Sequence, residues 1–311
     1  MKIFRWVNIS ISIFLFVFSS SSFATLPKIK KVTIVGLGLI GGSIGYDLKK
    51  AKFVEEIIGV DVNKEHRTQA YNLGFVDQVY SMEKLQLAIK ETDIVILAVP
   101  VNVIVEILPK ILDVVSDTTT VMDVGSTKEL ICKVVANHVK RKQFVPSHPM
   151  AGTENSGPTA ALQGLFNQKK VIICDKNQTN IEHLNRVKAI YSTLQSKLIY
   201  LSSKDHDRYI AYISHLSHVS SFALANTVLE QEDSTMIVNL AGGGFQSTVR
   251  LAKSSPEMWV PIFQQNKEHI IEAVDSYIAH LSTFRENIKS EDTKEIQKFL
   301  ENGNKIKEIF K

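Results

Sequence analysis

Gly36-Leu37-Gly38-Leu39-Ile40-Gly41 is the segment that most narrows what this chain can fold into. It lies between an apolar run, Val32 to Val35, and a stretch from Leu39 to Leu48 that can wind as a helix; a second apolar run, Ile57 to Val60, then ends in Asp61. Strand, glycine turn, helix and strand make one βαβ unit. In that context Gly36 permits the tight turn, Gly38 lets backbone approach a pyrophosphate and Gly41 lets helix pack on strand. Leu39 and Ile40 open the helix with free N–H groups, where a diphosphate is stabilised. Asp61 falls twenty residues after Gly41, where a carboxylate binds the hydroxyls of an adenosine ribose. The same carboxylate repels a 2′-phosphate, so NAD is favoured over NADP, while Lys64 and Arg67 nearby keep the second cofactor open. Packing alone can use the glycines, but it leaves the Asp61 spacing to chance.

Further apolar runs follow at Ile94 to Val99, Thr120 to Val124, Phe144 to Val145, Val171 to Cys174 and Leu198 to Leu201. Helical stretches separate them: Val101 to Leu112, Lys128 to His138 and Ile181 to Gln195. Continuous rather than alternating apolar strands point to a sheet covered on both faces, hence an α/β, doubly wound, mostly parallel Rossmann-like fold. After Ser202 no strand-like run appears, and the rest reads as an all-helical C-terminal domain. Ser202 with Asp205 resembles a capping box, and Ser255-Pro256 fits an N-cap with proline at N1. A long helix from Tyr209 to Leu229 is apolar all round, which suits burial between domains or in a dimer. The expected organisation is a leader over 1–27, a dinucleotide-binding domain over 28–202, and a helical substrate and dimerisation domain over 203–311.

The leader departs from the rest. Lys2 and Arg5 precede an apolar run from Trp6 to Phe18, and Ser19 to Ser22 with Phe23-Ala24 supply small residues, the layout of a secretory signal. A start site placed too far upstream and an uncleaved anchor are the competing readings. The run is short for a membrane span and interrupted by Asn8 and serines, so no stable membrane association is expected after the leader. A cytoplasmic location, where cofactor and metabolites are, is expected, with export left open. A formal charge of +4 without a long basic run makes nucleic acid a poor guess for a partner, and none is expected. Cys132 and Cys174 lie far apart inside apolar runs and read as buried thiols.

Chemistry concentrates at the carboxyl ends of the strands, the edge where doubly wound folds place ligands. Val99 and Pro100 end one strand, and Asp123-Val124-Gly125-Ser126-Thr127-Lys128 end the next. Ser126 either faces the site or caps the following helix, and capping is the commoner job. Beyond the next strand comes Ser147-His148-Pro149-Met150-Ala151-Gly152-Thr153-Glu154. A histidine there can accept a hydroxyl proton as hydride departs, and an ordinary pKa near ~6.5 suits the task. In the helical part His215 and His218, three apart, share a helix face; without further ligands at fitting spacing, no metal is expected. Arg250 follows Gly242-Gly243-Gly244 and offers a planar fork to a carboxylate or an interdomain ion pair.

Together these residues resemble the prephenate and arogenate dehydrogenases of tyrosine biosynthesis, from about Lys31 to about Glu286. The resemblance is carried by Gly36-x-Gly38-x-x-Gly41-Gly42-Ser43, Asp123 to Lys128, His148-Pro149-Met150-Ala151-Gly152, Ile213-Ser214-His215-Leu216-Ser217-His218, and Gly244-Phe245 leading to Arg250. It implies an NAD-dependent prephenate dehydrogenase that makes 4-hydroxyphenylpyruvate, acting as a homodimer. His148 is then the proton acceptor, Ser126 the residue that holds it and the nicotinamide region, His218 with His215 the pocket lining, and Arg250 the carboxylate anchor. Arogenate, with an amino group in place of the keto oxygen, is the alternative substrate, and a catalytically silent NAD-binding protein is the alternative that the leader suggests. Two departures stand out: Ser217 replaces a common proline, and Gln246-Ser247-Thr248 lack the acidic residue often found just before the arginine. With about 25 residues after Glu286, no ACT or chorismate mutase segment is expected, and any tyrosine feedback is expected at the active site.

Overall fold

In a computed structural model, residues 29–309 are described; the leader lies outside them. The strands are β1 (Lys31–Val35), β2 (Glu56–Val60), β3 (Gln78–Tyr80), β4 (Ile94–Leu97), β5 (Thr120–Asp123), β6 (Phe144–Pro149), β7 (Lys170–Cys174) and β8 (Lys197–Leu201). They form one sheet in the order β3-β2-β1-β4-β5-β6-β7-β8. Among the described strands only the β6–β7 pair is antiparallel, through Ser147–Ile173, His148–Ile172 and Pro149–Val171, and β8 pairs parallel to β7, so these two strands run against the other six. The order reverses between β1 and β4, which creates the crevice where such sheets bind ligands.

Helices α1 (Leu39–Lys50), α2 (Lys64–Asn72), α3 (Leu85–Ala88), α4 (Val101–Val114), α5 (Glu129–Val134) and α6 (Ile181–Thr193) cover the sheet. On α4 the buried residues are Val101, Ile104, Ile107, Leu108, Ile111 and Leu112, a helical stripe that packs on Val95, Leu97 and Val121. Burying each such side chain contributes roughly 1.5–3 kcal/mol, so this layer anchors the edge that carries the site. Cys132 and Cys174 are buried free thiols, and burial pushes both well above the ordinary thiol range.

The stretch expected to be helical over Lys128 to His138 is helical only over α5. Two β-branched residues, Val134 and Val135, end it, and His138 Nδ1 then accepts the Lys140 N–H at 3.0 Å in a turn. The three-residue edge strand β3 was too short and too polar to register as a periodic run.

After β8 the chain is helical: α7 (Ser203–Ile210), α8 (Leu216–Leu229), α9 (Ser234–Asn239), α10 (Gly243–Thr248), α11 (Pro256–Gln265), α12 (Lys267–Lys289) and α13 (Thr293–Asn304). The Ser202 hydroxyl accepts the Asp205 N–H at 3.0 Å, the expected cap of α7. Ser255 occupies the N-cap of α11, but its hydroxyl donates to Glu257 Oε2 at 2.6 Å instead of accepting a backbone N–H. The helix expected from Tyr209 to Leu229 starts earlier, at Ser203, and carries a π turn over Ala211–His215 between α7 and α8. Such one-turn expansions are frequent at functional sites. Trp259 and Ile262 of α11 pack into the core beneath α4, which docks the helical part on the sheet edge. Among the described residues, no helix is long and apolar enough to cross a membrane.

Candidate active site

The cofactor edge begins where β1 turns. Gly36 has φ +96°, and a Cβ on it would run into the Ala98 carbonyl at the end of β4. A Cβ on Gly41 would likewise meet the Gly36 carbonyl, so both positions require glycine. Gly38 occupies the N-cap of α1, and no side chain caps the helix, so the N–H groups of its first turn, at Leu39 and Ile40, are not met by a cap. Asp61 leaves the end of β2 with Oδ2 accepting the Leu37 N–H at 3.0 Å and Oδ1 accepting the Asn63 N–H at 2.8 Å. Each oxygen keeps acceptor capacity for a ligand hydroxyl. Arg67 turns back, its Nη1 donating to the carbonyls of Asp61 and Val62. Val99 and Pro100 lie at the carboxyl end of β4, beside Gly36. From β6 the chain crosses to α1, where the Leu162 N–H bonds Ser43 Oγ at 2.9 Å and the Gly164 N–H bonds Asp47 Oδ1 at 2.8 Å.

Beneath this edge Asp123 and Lys128, both wholly buried, form an ion pair. Asp123 also accepts the Gly125 N–H at 2.9 Å and the Ser147 N–H at 3.2 Å, tying the end of β5 to β6. Burial raises the Asp123 carboxyl above its ordinary range, while the Lys128 cation and the N–H donors pull it back. Ser147 Oγ donates to the Asp123 carbonyl at 2.6 Å and so accepts from Tyr191 Oη, also at 2.6 Å.

His148 follows Ser147 on β6 with 8% of its surface exposed. Its Nδ1 lies 2.8 Å from His206 Nε2, and His206 Nδ1 lies 2.7 Å from Asp207 Oδ1. Asp207 in turn accepts the N–H groups of Lys128 at 2.7 Å and Glu129 at 2.9 Å. These are the first donors of α5, so a carboxylate from α7 caps a helix some 80 residues earlier in the chain. The capping job expected of Ser126 therefore belongs to Asp207. Among the described residues, no hydrogen bond ties the Ser126 hydroxyl to α5 or to His148, whose ring is held by His206. Burial first, then the neighbouring His206, Lys128 and His215, hold His148 well below the ordinary imidazole pKa. His206 is pushed down to about 3 by burial and Lys128, and His215 to about 4, chiefly by burial.

The helical part supplies the opposite wall. His215, wholly buried in the π turn, has Nδ1 3.1 Å from Asn266 Nδ2, which also donates to the Asp207 carbonyl at 2.8 Å. His218, one turn on, stacks on Trp259 with ring centroids 3.6 Å apart, and His215 meets the same indole edge-on at 5.9 Å. Both expected histidines thus gather on one aromatic residue. His218 Nδ1 donates to the Ser214 carbonyl at 2.9 Å, which leaves Nε2 as an acceptor. Burial lowers its pKa, and the Arg250 cation adds to that effect. Arg250 Nη1 pairs with Glu154 Oε2 at 3.3 Å, which joins the helical part to the loop after His148. The carboxylate missing next to Arg250 in sequence is supplied from that loop.

Sequence reasoning did not assign His206, Asp207, Trp259, Asn266 or the Glu154 pairing. One signal was present for the first two: a titratable pair placed directly after the Ser202 cap.

Three buried histidines with lowered pKa values make acid stability testable. The unfolded chain binds their protons near pH ~6.5, whereas the folded chain holds His148, His206 and His215 neutral to lower pH. Their contribution is fully present above that pH and is lost as pH falls toward the folded values. Denaturant titrations are expected to show unfolding coupled to uptake of about two to three protons between pH 6 and 4.5; stability that is level across this range contradicts their buried neutral state.

Comparison with known proteins bears on the family and the fold. The family model described as the prephenate dehydrogenase nucleotide-binding domain matches residues 44–200, and that of the prephenate dehydrogenase dimerization domain matches residues 202–302. The prephenate dehydrogenase of Lactococcus lactis is 32% identical over 290 residues, covering 90% of this chain and 77% of its own. The cyclohexadienyl dehydrogenase of Zymomonas mobilis is 30% identical over 277 residues, covering 85% and 90%. Among solved structures, prephenate dehydrogenase of Aquifex aeolicus, in complex with hydroxyphenyl propionate and NAD+, superposes with a TM-score of 0.82 at 34% identity, covering 90% of this chain and 98% of that one. A Synechocystis arogenate dehydrogenase gives a TM-score of 0.72 at 27% identity, covering 90% and 100%. A sheet crevice built for a dinucleotide, a strand-end histidine and a histidine-lined helical wall thus sit in a chain that belongs to the prephenate dehydrogenase family.

Proposed function

We propose that this chain is an NAD-dependent prephenate dehydrogenase, which converts prephenate to 4-hydroxyphenylpyruvate and CO2 in tyrosine biosynthesis. The observation that carries the reading is His148: a neutral imidazole at the carboxyl end of β6, with His206 on one ring nitrogen. Its other nitrogen is left to take the proton of the C4 hydroxyl. NAD, when bound, accepts the hydride from C4. The residues present fit it: the uncapped start of α1, at Gly38, Leu39 and Ile40, takes the diphosphate, and Gly36 and Gly41 keep the turn clear of Cβ atoms. Asp61 takes the ribose hydroxyls, and Val99, Pro100 and Ser126 border the nicotinamide end. The C1 carboxylate leaves as CO2, the pair of electrons it releases completes the aromatic ring, and the proton held by His148 returns to the phenolate oxygen. Because aromatisation drives the reaction, the residues need chiefly to orient and deprotonate.

His218 and His215 line the substrate side, and Arg250 anchors a substrate carboxylate. For Arg250 to do so, a substrate carboxylate must share the guanidinium with Glu154 or displace it. Arg250→Ala is expected to raise the KM for prephenate about ten- to a hundredfold with kcat little changed, the loss of one charge-assisted contact. A KM equal to that of the native chain reassigns carboxylate binding.

With a dinucleotide-binding domain over 28–202 and a helical domain over 203–311, the reaction runs between the two, a reading supported by the His148–His206 and Glu154–Arg250 contacts that join them. The helical domain also serves a homodimer, supported by exposed Ile271, Tyr277, Ile278 and Leu281 on α12. The cytoplasm, which holds NAD and prephenate, is the location that fits. Arogenate is the second reading, supported by the likeness to the Synechocystis enzyme. Purifying the chain from Lys28 and following reduced nicotinamide with prephenate and with arogenate, and with NAD and with NADP, decides between the two substrates and the two cofactors.

A further inference from the structure

We infer that His206 and Asp207 form a positioning relay that fixes the tautomer of His148 and holds its charge once it has taken a proton. The inference rests on the reading of His148 as the base, but its first prediction concerns the resting protein.

The donors and acceptors can be assigned from the far end. Asp207 accepts two backbone N–H groups, from Lys128 and Glu129, and no hydrogen of its own is needed toward His206. Its third short contact, 2.7 Å to His206 Nδ1, is then satisfied by an N–H on that nitrogen. Burial and the Lys128 cation keep His206 neutral, so a hydrogen on Nδ1 leaves its Nε2 with a lone pair. That lone pair faces His148 Nδ1 at 2.8 Å, and two lone pairs cannot share such a distance. His148 therefore carries its hydrogen on Nδ1, which leaves Nε2 unprotonated and available.

When Nε2 takes the substrate proton, His148 becomes an imidazolium bearing both hydrogens, and Nδ1–H continues to donate to His206. The charged groups around that cation are Lys128 and Asp123 at the end of β5, His206 and Asp207 on α7, and His215 in the π turn. Lys128 opposes the new charge, and Asp123 is already paired with it. Asp207 is the carboxylate left to compensate His148, and it acts through His206 in the way a buried aspartate orients a catalytic histidine without itself becoming protonated. The same carboxylate caps α5, so the strand end, the helix start and the base are aligned by one side chain.

The test uses ¹⁵N-histidine NMR on the full chain together with steady-state kinetics. In the native protein His148 is expected to show a protonated Nδ1 and an unprotonated Nε2. His206→Leu removes the acceptor; it is expected to shift His148 toward the other tautomer and to lower kcat on the order of 10²–10³-fold, with the KM for NAD within about twofold. His206→Gln can turn its amide oxygen to His148 and is expected to restore the Nδ1–H tautomer and part of kcat. Asp207→Asn is expected to move the acid limb of the kcat/KM profile to lower pH, because the imidazolium loses its compensating charge; a merely structural role leaves that limb in place. A native His148 protonated on Nε2, or a His206→Leu variant with native tautomer and kcat, overturns the relay. A native chain that leaves prephenate unoxidised overturns the proposed function instead, while the NMR result still decides the tautomer.

Discussion

His148→Asn is expected to lower turnover by about 10²–10⁴-fold while leaving NAD affinity near its native value, the usual cost of losing a positioned general base. The separation follows from placement. NAD is assigned to the β1 and β2 ends, at Gly36, Gly38, Gly41 and Asp61, whereas His148 is fixed on β6 and bonded into the helical part through His206. Asparagine keeps a polar side chain of similar reach but has no nitrogen that can take a proton. The acid limb of kcat/KM in the native chain is expected below pH ~6.5, because burial and the nearby Lys128 favour the neutral ring. Activity therefore holds as pH falls through the ordinary histidine range and is lost only as His148 protonates at its lowered value. Stopped-flow measurement of NAD binding beside steady-state rates separates the two effects.

Lys128→Met is expected to cost about 3–5 kcal/mol of folding stability, because it leaves the Asp123 carboxylate buried without its counter-charge. Neither side chain of the pair has exposed surface, so solvent cannot compensate. Asp123 would retain only the Gly125 and Ser147 N–H groups. A loss of that size is a large part of the roughly 5–15 kcal/mol that holds a domain folded. The double variant Asp123→Asn with Lys128→Met should lose much less than the sum of the single changes, and urea titrations of the four proteins measure the coupling. The sign with pH is also defined: the Asp123 carboxyl is already raised by burial, and without Lys128 it rises further. The deficit of Lys128→Met should therefore shrink as pH falls and Asp123 takes a proton. A loss below about 1 kcal/mol at neutral pH contradicts the pair's structural role.

The βαβ start was legible in the sequence because three glycines and Asp61 occupy positions that backbone geometry demands, and β1, α1 and β2 form where the apolar runs lie. His148 was legible because a strand end is a known place for chemistry and because one titratable ring stood there. The relay behind it was not. Asp207 reaches the start of α5 only when the helical part docks, and nothing local to residue 207 marks a helix start near residue 128. For the same reason Ser126 was weighed as a cap. It stands where a cap belongs by spacing, but the donors it could have met are taken by Asp207. Nothing in the sequence marks Lys128 as buried, because charge is normally solvated. Its burial depends on Asp123, five residues away across a turn, and on Ser147 from the next strand. The π turn at Ala211–His215 has no periodic signature either, since it adds a residue to a helix whose apolar pattern is already continuous.

The most direct test of the account is to mix the chain from Lys28 with NAD and prephenate and to measure reduced nicotinamide, CO2 and 4-hydroxyphenylpyruvate together. The account predicts one of each per prephenate consumed, and near silence from His148→Asn protein that still binds NAD. Equal rates from the native and His148→Asn proteins, or no nicotinamide reduction by the native chain, would contradict it.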